Sequence, residues 1–256
     1  TPKGMFITSQ GEQLLNQAEQ VLESAGQLKI LARTLRSDIE GRLLLGINSA
    51  PEYLRVPQII DSILQDYPGI KLEVISSSTG QILDALEQGT VDCGFAFGAV
   101  TGNAVRSVFL SSVDLVIAIP SRFGDRYRNA PFKALTELPW VVPENYCPFL
   151  TQVKDHYRQK GIRLETEIFS NDDITKLALV RKGAAVCVLE ASEARPFIKD
   201  RTAVPWAGPD QPEKTGFENR LSFVYAAGRA QDILISTMES IIREIWKIED
   251  RQAQSD

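Results

Sequence analysis

Three observations predict an α/β fold of two lobes, entered through a long helix. First, Leu14, Ala18, Val21, Ala25, Leu28, Ala32 and Leu35 recur at alternating spacings of four and three, an unbroken heptad seam. Second, the stretch from Leu43 to Phe97 alternates short apolar runs with capped amphipathic segments, the pattern of β-α-β-α-β with a parallel sheet and right-handed crossovers. Third, a less regular version of the same alternation follows and then returns, which predicts a second lobe joined to the first by two crossing strands.

The elements follow in order. Residues 1–8 form a short stub. Residues 9–38 form the helix, with Ser9 and Glu12 as a capping box at its start. About 29 residues at 1.5 Å each make a rod of roughly 43 Å. Alanine at every a position and Leu or Val at every d position let a second helix approach closely. A dimerisation helix, paired with its own copy and expected antiparallel, is therefore favoured over a core helix of one domain. Leu15, Leu22 and Leu31 widen the apolar face toward the chain's own domain, and Gly41 ends the break at Asp38–Arg42.

Leu43–Ile47 reads as a strand buried on both faces. Pro51 and Pro57 bracket the start of a helix with an apolar face of Ile59, Ile60, Ile63, Leu64 and Tyr67, stopped by Pro68-Gly69. Ile70–Ile75 is a strand, Ser76 to Thr79 cap a helix carrying Ile82, Leu83 and Leu86, and Val91–Phe97 is the next strand. Val105–Leu110 and Val113–Pro120 are expected as two strands, followed by a solvated loop rich in Arg122, Arg126, Arg128 and Lys133. Trp140–Pro143 is a short strand, Pro148–Lys160 a helix and Glu165–Phe169 a strand. Asn171-Asp172-Asp173 cap a helix ended by Gly183, and Ala185–Leu189 is a buried strand. Ala203–Trp206 and Leu221–Ala226 flank a Gly/Pro-rich loop, and Gln231–Ile248 is a last helix packing back on the first lobe. The expected lobes are 43–98 with 207–249, and 99–206.

Composition narrows the function. A net charge of −5 provides no global basic field for nucleic acid. No apolar run approaches a membrane span and no signal peptide opens the chain, although a first residue of Thr rather than Met suggests that something preceded it. Cys93, Cys147 and Cys187 lack CxxC spacing and read as reduced thiols of a cytoplasmic protein. One histidine, His156, and three dispersed cysteines make no metal constellation, and neither a P-loop, a dinucleotide fingerprint nor a G-x-S-x-G is present. No catalytic residue, cofactor or metal is expected.

In parallel sheets, ligands bind beyond the carboxyl ends of the strands. Four strand ends run into what read as capped helix starts: Asn48-Ser49-Ala50, Ser77-Ser78-Thr79, Tyr146-Cys147-Pro148 and Asn171-Asp172. Facing lobes would converge these N-termini on one cleft, a site for a small carboxylate or other anion. Ser49, Ser77, Ser78 and Thr79 suit capping and effector contact alike. Among Phe95, Phe97, Tyr146, Phe149 and Phe169, core packing is the general reading, with Phe97 and Tyr146 the pocket candidates. The expected effector site is thus Asn48, Ser49, Ala50, Ser77, Ser78, Thr79, Phe97, Tyr146, Cys147 and Asn171.

Four segments resemble LysR-type transcriptional regulators. Ile7–Leu22 (ITSQGEQLLNQAEQVL) is similar to the end of that family's DNA-binding wing and the start of its linker helix, and Gly41–Ile47 (GRLLLGI) to the first strand of its effector domain. Val56–Val74 (VPQIIDSILQDYPGIKLEV) and Leu86–Phe95 (LEQGTVDCGF) resemble two further family motifs. The family's pattern after the fifth strand is replaced by Ser121–Asp125, and Gly183–Glu190 lacks a glycine and a proline of the usual motif.

The resemblance implies a type-2 periplasmic-binding-protein-like effector domain behind a linker helix, with the winged helix-turn-helix missing save for residues 1–8. It implies effector sensing in a DNA-binding regulator, a homodimer or homotetramer that contacts DNA through the missing part and no membrane. A solute-binding protein for transport is the alternative, and an enzyme on the same fold comes third. Cys147, at an expected helix N-terminus where the dipole lowers a thiol pKa, lies in a stretch similar to the reactive region of peroxide-sensing members. Nine residues on, where those sensors carry a second thiol, stands His156, so an ordinary thiol is favoured over a redox switch.

Overall fold

The computed structural model describes residues 39–143, 146–170, 173–209 and 217–248, together with Gly11, Leu14 and Gln17. Those three residues are helical, and Leu14 is exposed. The remaining seam positions Ala18, Val21, Ala25, Leu28, Ala32 and Leu35, and the stub 1–8, lie outside the described residues.

The chain runs β1 (Gly41–Ile47), α1 (Val56–Asp66), β2 (Ile70–Ser76), α2 (Thr79–Glu87), β3 (Cys93–Phe97), β4 (Val105–Pro120), α3 (Ser121–Tyr127), α4 (Phe132–Leu135) and β5 (Pro139–Val142). It continues through α5 (Pro148–Arg158), β6 (Thr166–Phe169), α6 (Asp173–Arg181), β7 (Cys187–Glu190), α7 (Ala191–Lys199), β8 (Ala203–Pro205), β9 (Glu218–Ala226) and α8 (Ile233–Trp246).

The expected parallel unit is present. β1 pairs in parallel with β2 from Gly41↔Ile70 and with β3 at Leu45↔Cys93 and Gly46↔Gly94. The glycine pair lets α2 lie close, because a Cβ on Gly94 would sit 2.8 Å from both the Gly46 carbonyl oxygen and Ile82 Cγ2. Ser78 caps α2 as the sequence indicates: its Oγ accepts from the Gln81 N–H while the Gln81 side chain accepts from the Ser78 N–H. α1 buries a narrower face than expected. Val56, Ile59 and Ile63 are inside, whereas Ile60 and Leu64 face out at 37% and 68% exposure.

The two strands expected over 105–120 are one strand of 16 residues, bent where its register shifts between Phe109 and Ser111. β4 and β9 run antiparallel from Val105↔Ala226 to Asp114↔Glu218, and β9 also pairs antiparallel with β3, centred on Phe95↔Phe223. Further along, β4 takes β7 (Leu115↔Glu190) and β8 (Pro120↔Ala203). The strand order is β2-β1-β3-β9-β4-β7, with β8 on β4. β5 and β6 pair in parallel, and a bridge from Trp140 to Val186 ties them to the β7 side. Buried side chains of both regions form one continuous cluster along β4 and β9.

Two further expectations are corrected. The Arg-rich loop is instead α3 and α4, because Tyr127, Phe132 and Leu135 provide apolar anchors among the charges and Gly124 lets α3 approach Val204. α7 has no counterpart in the sequence reading: Pro196 disguises a helix that buries Ala194 and Phe197 and starts on Glu190, whose side chain accepts from the Glu193 N–H. The last helix packs back as expected. Arg55 donates to the Ile245 carbonyl at 2.6 Å and stacks 4.3 Å over the Trp246 ring, clamping α8 to the start of α1. At the other end Asp232 caps α8, accepting from the Leu234 and Ile235 N–H groups while Arg229 holds both Asp232 and Asp92.

Candidate functional site

Six strands end at one place. Residues at or just beyond the ends of β1, β2, β3, β5, β6 and β7 line a cavity of about 420 Å³, within the ~300–1,000 Å³ of small-molecule sites. One wall comes from Asn48, Ser49, Ser77, Ser78, Thr79, Gln81 and Phe97; the opposite wall comes from Val141, Pro143, 146–150, Ser170, Ile174, Lys176, Val188, Glu190 and Glu193. This is the crevice at the carboxyl ends of strands where such sheets bind ligands.

Thr79 organises the first wall. It is 4% exposed, and its Oγ1 accepts from Asn48 Nδ2 at 2.7 Å and from the Phe97 N–H at 3.2 Å. The bonds tie the ends of β1 and β3 to the first turn of α2. Asn48 Oδ1 is buried and has no hydrogen-bond partner among the described residues. Rotating the amide would exchange the two atoms and orphan the nitrogen instead, so one polar atom of Asn48 stays unmet either way. Ser77 and Ser78 both donate to Gln81 Oε1, at 2.9 and 3.2 Å. The first N–H groups of α2 have no partner within the helix and carry the positive end of its dipole.

The aromatic floor is Phe97 against Phe149, centroids 4.6 Å apart. Tyr146 lies over the mouth: a Cβ on Gly80 would be 3.2 Å from Tyr146 Cβ, and one on Gly98 would be 3.5 Å from its hydroxyl. Partial burial raises the Tyr146 hydroxyl pKa, so it is a neutral donor at pH 7. Cys147 is the cap residue of α5, half-buried, with Pro148 at the first helical position.

The second wall carries charge. Glu190 is 8% exposed, and its Oε2 accepts from Ser192 Oγ and from the Glu193 N–H, while its Oε1 has no hydrogen-bond partner among the described residues. Glu193 pairs with Lys176 at 3.8 Å. The field of both carboxylates reaches Tyr53, whose hydroxyl is pushed up to about 12 by burial, then by Glu190 and Glu193.

The cavity therefore brings together Asn48, Ser49, Ser77, Ser78, Thr79, Phe97, Tyr146 and Cys147. Ala50 is exposed and off the cavity, its carbonyl accepting from the Leu54 N–H in a turn over 51–55. Asn48–Ala50 cap no helix. The chain turns over 51–55, and α1 instead starts from Arg55 in a left-handed conformation. Asn171 lies outside the described residues. Sequence reasoning missed Gln81, Ser170, Lys176, Glu190 and Glu193. Of these, Gln81 was legible as the third residue after the Ser78 cap.

The other chemical candidates sit elsewhere. His156 is edge-on to Tyr157 and Phe217, off the cavity, with Lys160 Nζ 3.1 Å from its ring. Cys93 and Cys187 are buried, and burial raises both thiols, Cys187 to about 12. Among the described residues no cluster of His, Cys, Asp and Glu has metal-binding geometry, and no helix is long and apolar enough to cross a membrane.

Known proteins share this fold. The transcriptional regulator BenM of Acinetobacter baylyi is 25% identical over 97% of the chain and 79% of its own length. Among solved structures, the regulatory domain of Synechocystis PCC6803 CcmR in complex with 2-PG superposes with a TM-score of 0.65 at 15% identity, covering 82% of this chain and 99% of that one. The BenM effector-binding domain with its effector benzoate gives 0.59 at 17% identity, covering 85% and 97%. These likenesses show a two-lobed, type-2 periplasmic-binding-protein-like fold. The family model described as the LysR substrate binding domain matches residues 36–246, and the chain belongs to that family.

Proposed function

We propose that the chain is the effector-sensing and oligomerisation part of a cytoplasmic, DNA-binding transcriptional regulator, with a small molecule bound in the cavity between the lobes. The single observation that carries the reading is the cavity itself. It is built from strand ends and helix starts of both walls, so a ligand touching both would favour one relative arrangement of them. Such a ligand regulates only through its differential affinity for two arrangements. In this reading 43–98 with 207–249 and 99–206 are the lobes, hinged on β4 and β9. DNA binding belongs to a head preceding the linker helix 9–38, and that helix pairs two copies of the chain. Exposed Leu14 supports the pairing, and the regulators among the similar proteins support sensing over transport or catalysis. The reading leaves Cys147 as a cavity thiol.

A thermal-shift screen against small organic acids tests it. At least one should raise the melting temperature saturably, and Ser77→Trp, which fills the cavity mouth, should abolish the shift while leaving the unliganded protein folded. Stabilisation that survives Ser77→Trp, or none across the screen, would refute the reading.

A further inference from the structure

Three features of the cavity select among small molecules. One acceptor oxygen faces it without a donor among the described residues: Glu190 Oε1, on a residue more than nine-tenths buried. A buried acceptor without a donor forgoes a hydrogen bond, and a buried carboxylate forgoes more. Lys176, the cation of the lining, is paired with Glu193. A ligand that is only an anion would therefore add negative charge beside Glu190 and leave its free oxygen without a donor. Across the cavity, the start of α2 presents unpaired helix N–H groups beside the Ser77 and Ser78 hydroxyls, where negative charge is favoured. Between them lies an apolar strip of Phe97, Phe149, Val141 and Val188.

We propose that the cavity takes a small 2-amino acid with an apolar side chain, its ammonium on Glu190 and its carboxylate at the start of α2. An ammonium supplies donors for Glu190 Oε1, and its charge neutralises Glu190. The zwitterion leaves net charge in the site unchanged. The side chain covers the aromatic floor, and Tyr146 closes over it. This inference rests on the effector-site reading above and adds the ligand class.

Calorimetric titration of the chain with matched probes tests it: L-phenylalanine, 3-phenylpropanoate and 2-phenylethylamine, then L-leucine, 4-methylpentanoate and 3-methylbutylamine. In at least one trio the amino acid should bind ten-fold or more tightly than either analogue. Glu190→Gln keeps an oxygen for the cap of α7 and should weaken that amino acid at least ten-fold while its carboxylate analogue binds as before or more tightly. Should the variant fail to fold, the comparison on the unaltered chain still decides. A carboxylate that binds as tightly as its amino acid overturns the inference but leaves the effector site standing. An amine that binds tightest overturns it too, since the start of α2 would then contribute nothing. Absence of binding by all six overturns the inference, and the effector reading falls with it only if the organic-acid screen also fails.

Discussion

Replacing Thr79 by valine removes one oxygen and keeps the shape of the side chain. In the folded protein that oxygen accepts from two groups, Asn48 Nδ2 and the Phe97 N–H, at a residue 4% exposed. Each buried donor left without an acceptor costs about 1–3 kcal/mol, and exchanging a hydroxyl for a buried methyl returns about 1 kcal/mol. Two such donors less that return leave a loss of about 1–5 kcal/mol, and the central value of about 3 kcal/mol is roughly 6–12 °C in melting temperature at ~2–4 °C per kcal/mol for a chain of this size. Thr79→Ser keeps the oxygen and loses a methyl, so it should cost only about 1 kcal/mol. Urea unfolding of both variants gives the order directly. If Thr79 acts only by packing, the order inverts, with valine harmless and serine the worse. A Thr79→Val protein as stable as Thr79→Ser would refute the claim that this hydroxyl holds the strand ends together.

Other outcomes follow from the same structure. Gly94→Ala drives a Cβ to within 2.8 Å of the Gly46 carbonyl and Ile82, and should cost about 2 kcal/mol or more by chemical denaturation; an unchanged midpoint would show that α2 stands further off the sheet. Partial burial pushes the Asp232 pKa up, but bonds from Arg229 and the Leu234 and Ile235 N–H groups outweigh it and leave the carboxyl below its usual value. A lowered folded-state pKa stabilises above the unfolded value of ~3.9, and the benefit disappears as pH falls through the folded pKa. Asp232→Ala should therefore cost about 1 kcal/mol at pH 7 and progressively less in acid; a constant difference down to strongly acidic pH would contradict this. By light scattering the chain should have the mass of a dimer or tetramer, and Ala25→Glu, placing a charge in the heptad seam, should lower it. A strict monomer before substitution would sink the seam.

The regular parts of the fold were legible because their residues obey local rules. Parallel strands β1 to β3 announce themselves as apolar runs, and Ser78 with Gln81 writes a complete capping box. What escaped was decided by distant partners. Leu110 and Val113 read as the facing ends of two strands because the polar pair Ser111-Ser112 interrupts the apolar pattern, yet pairing with β9 carries one strand across it. Tyr127 and Phe132 turn an Arg-rich stretch into helices only because buried neighbours wait for them. At the cavity, the first wall could be read from serines beside strand ends, whereas Glu190 and Lys176 could not. Nothing local distinguishes a buried acidic cap from a surface one, and the helix that Glu190 starts was hidden by Pro196.

The position of β9 has a consequence for synthesis. β3 acquires its outer neighbour only when residues 221–225 arrive, more than 120 positions after β3 itself has been made. Until then Cys93–Phe97, buried along its whole length in the finished protein, presents a bare apolar edge, while everything between must emerge first. Pairings so far apart in sequence close slowly, and exposed strand edges are where chains stick to one another. Fragments ending before Glu218 should therefore aggregate, and the β1–β3 unit should gain protease resistance only after β9 has left the ribosome. The strand that joins the two halves is also the last of the sheet to be delivered.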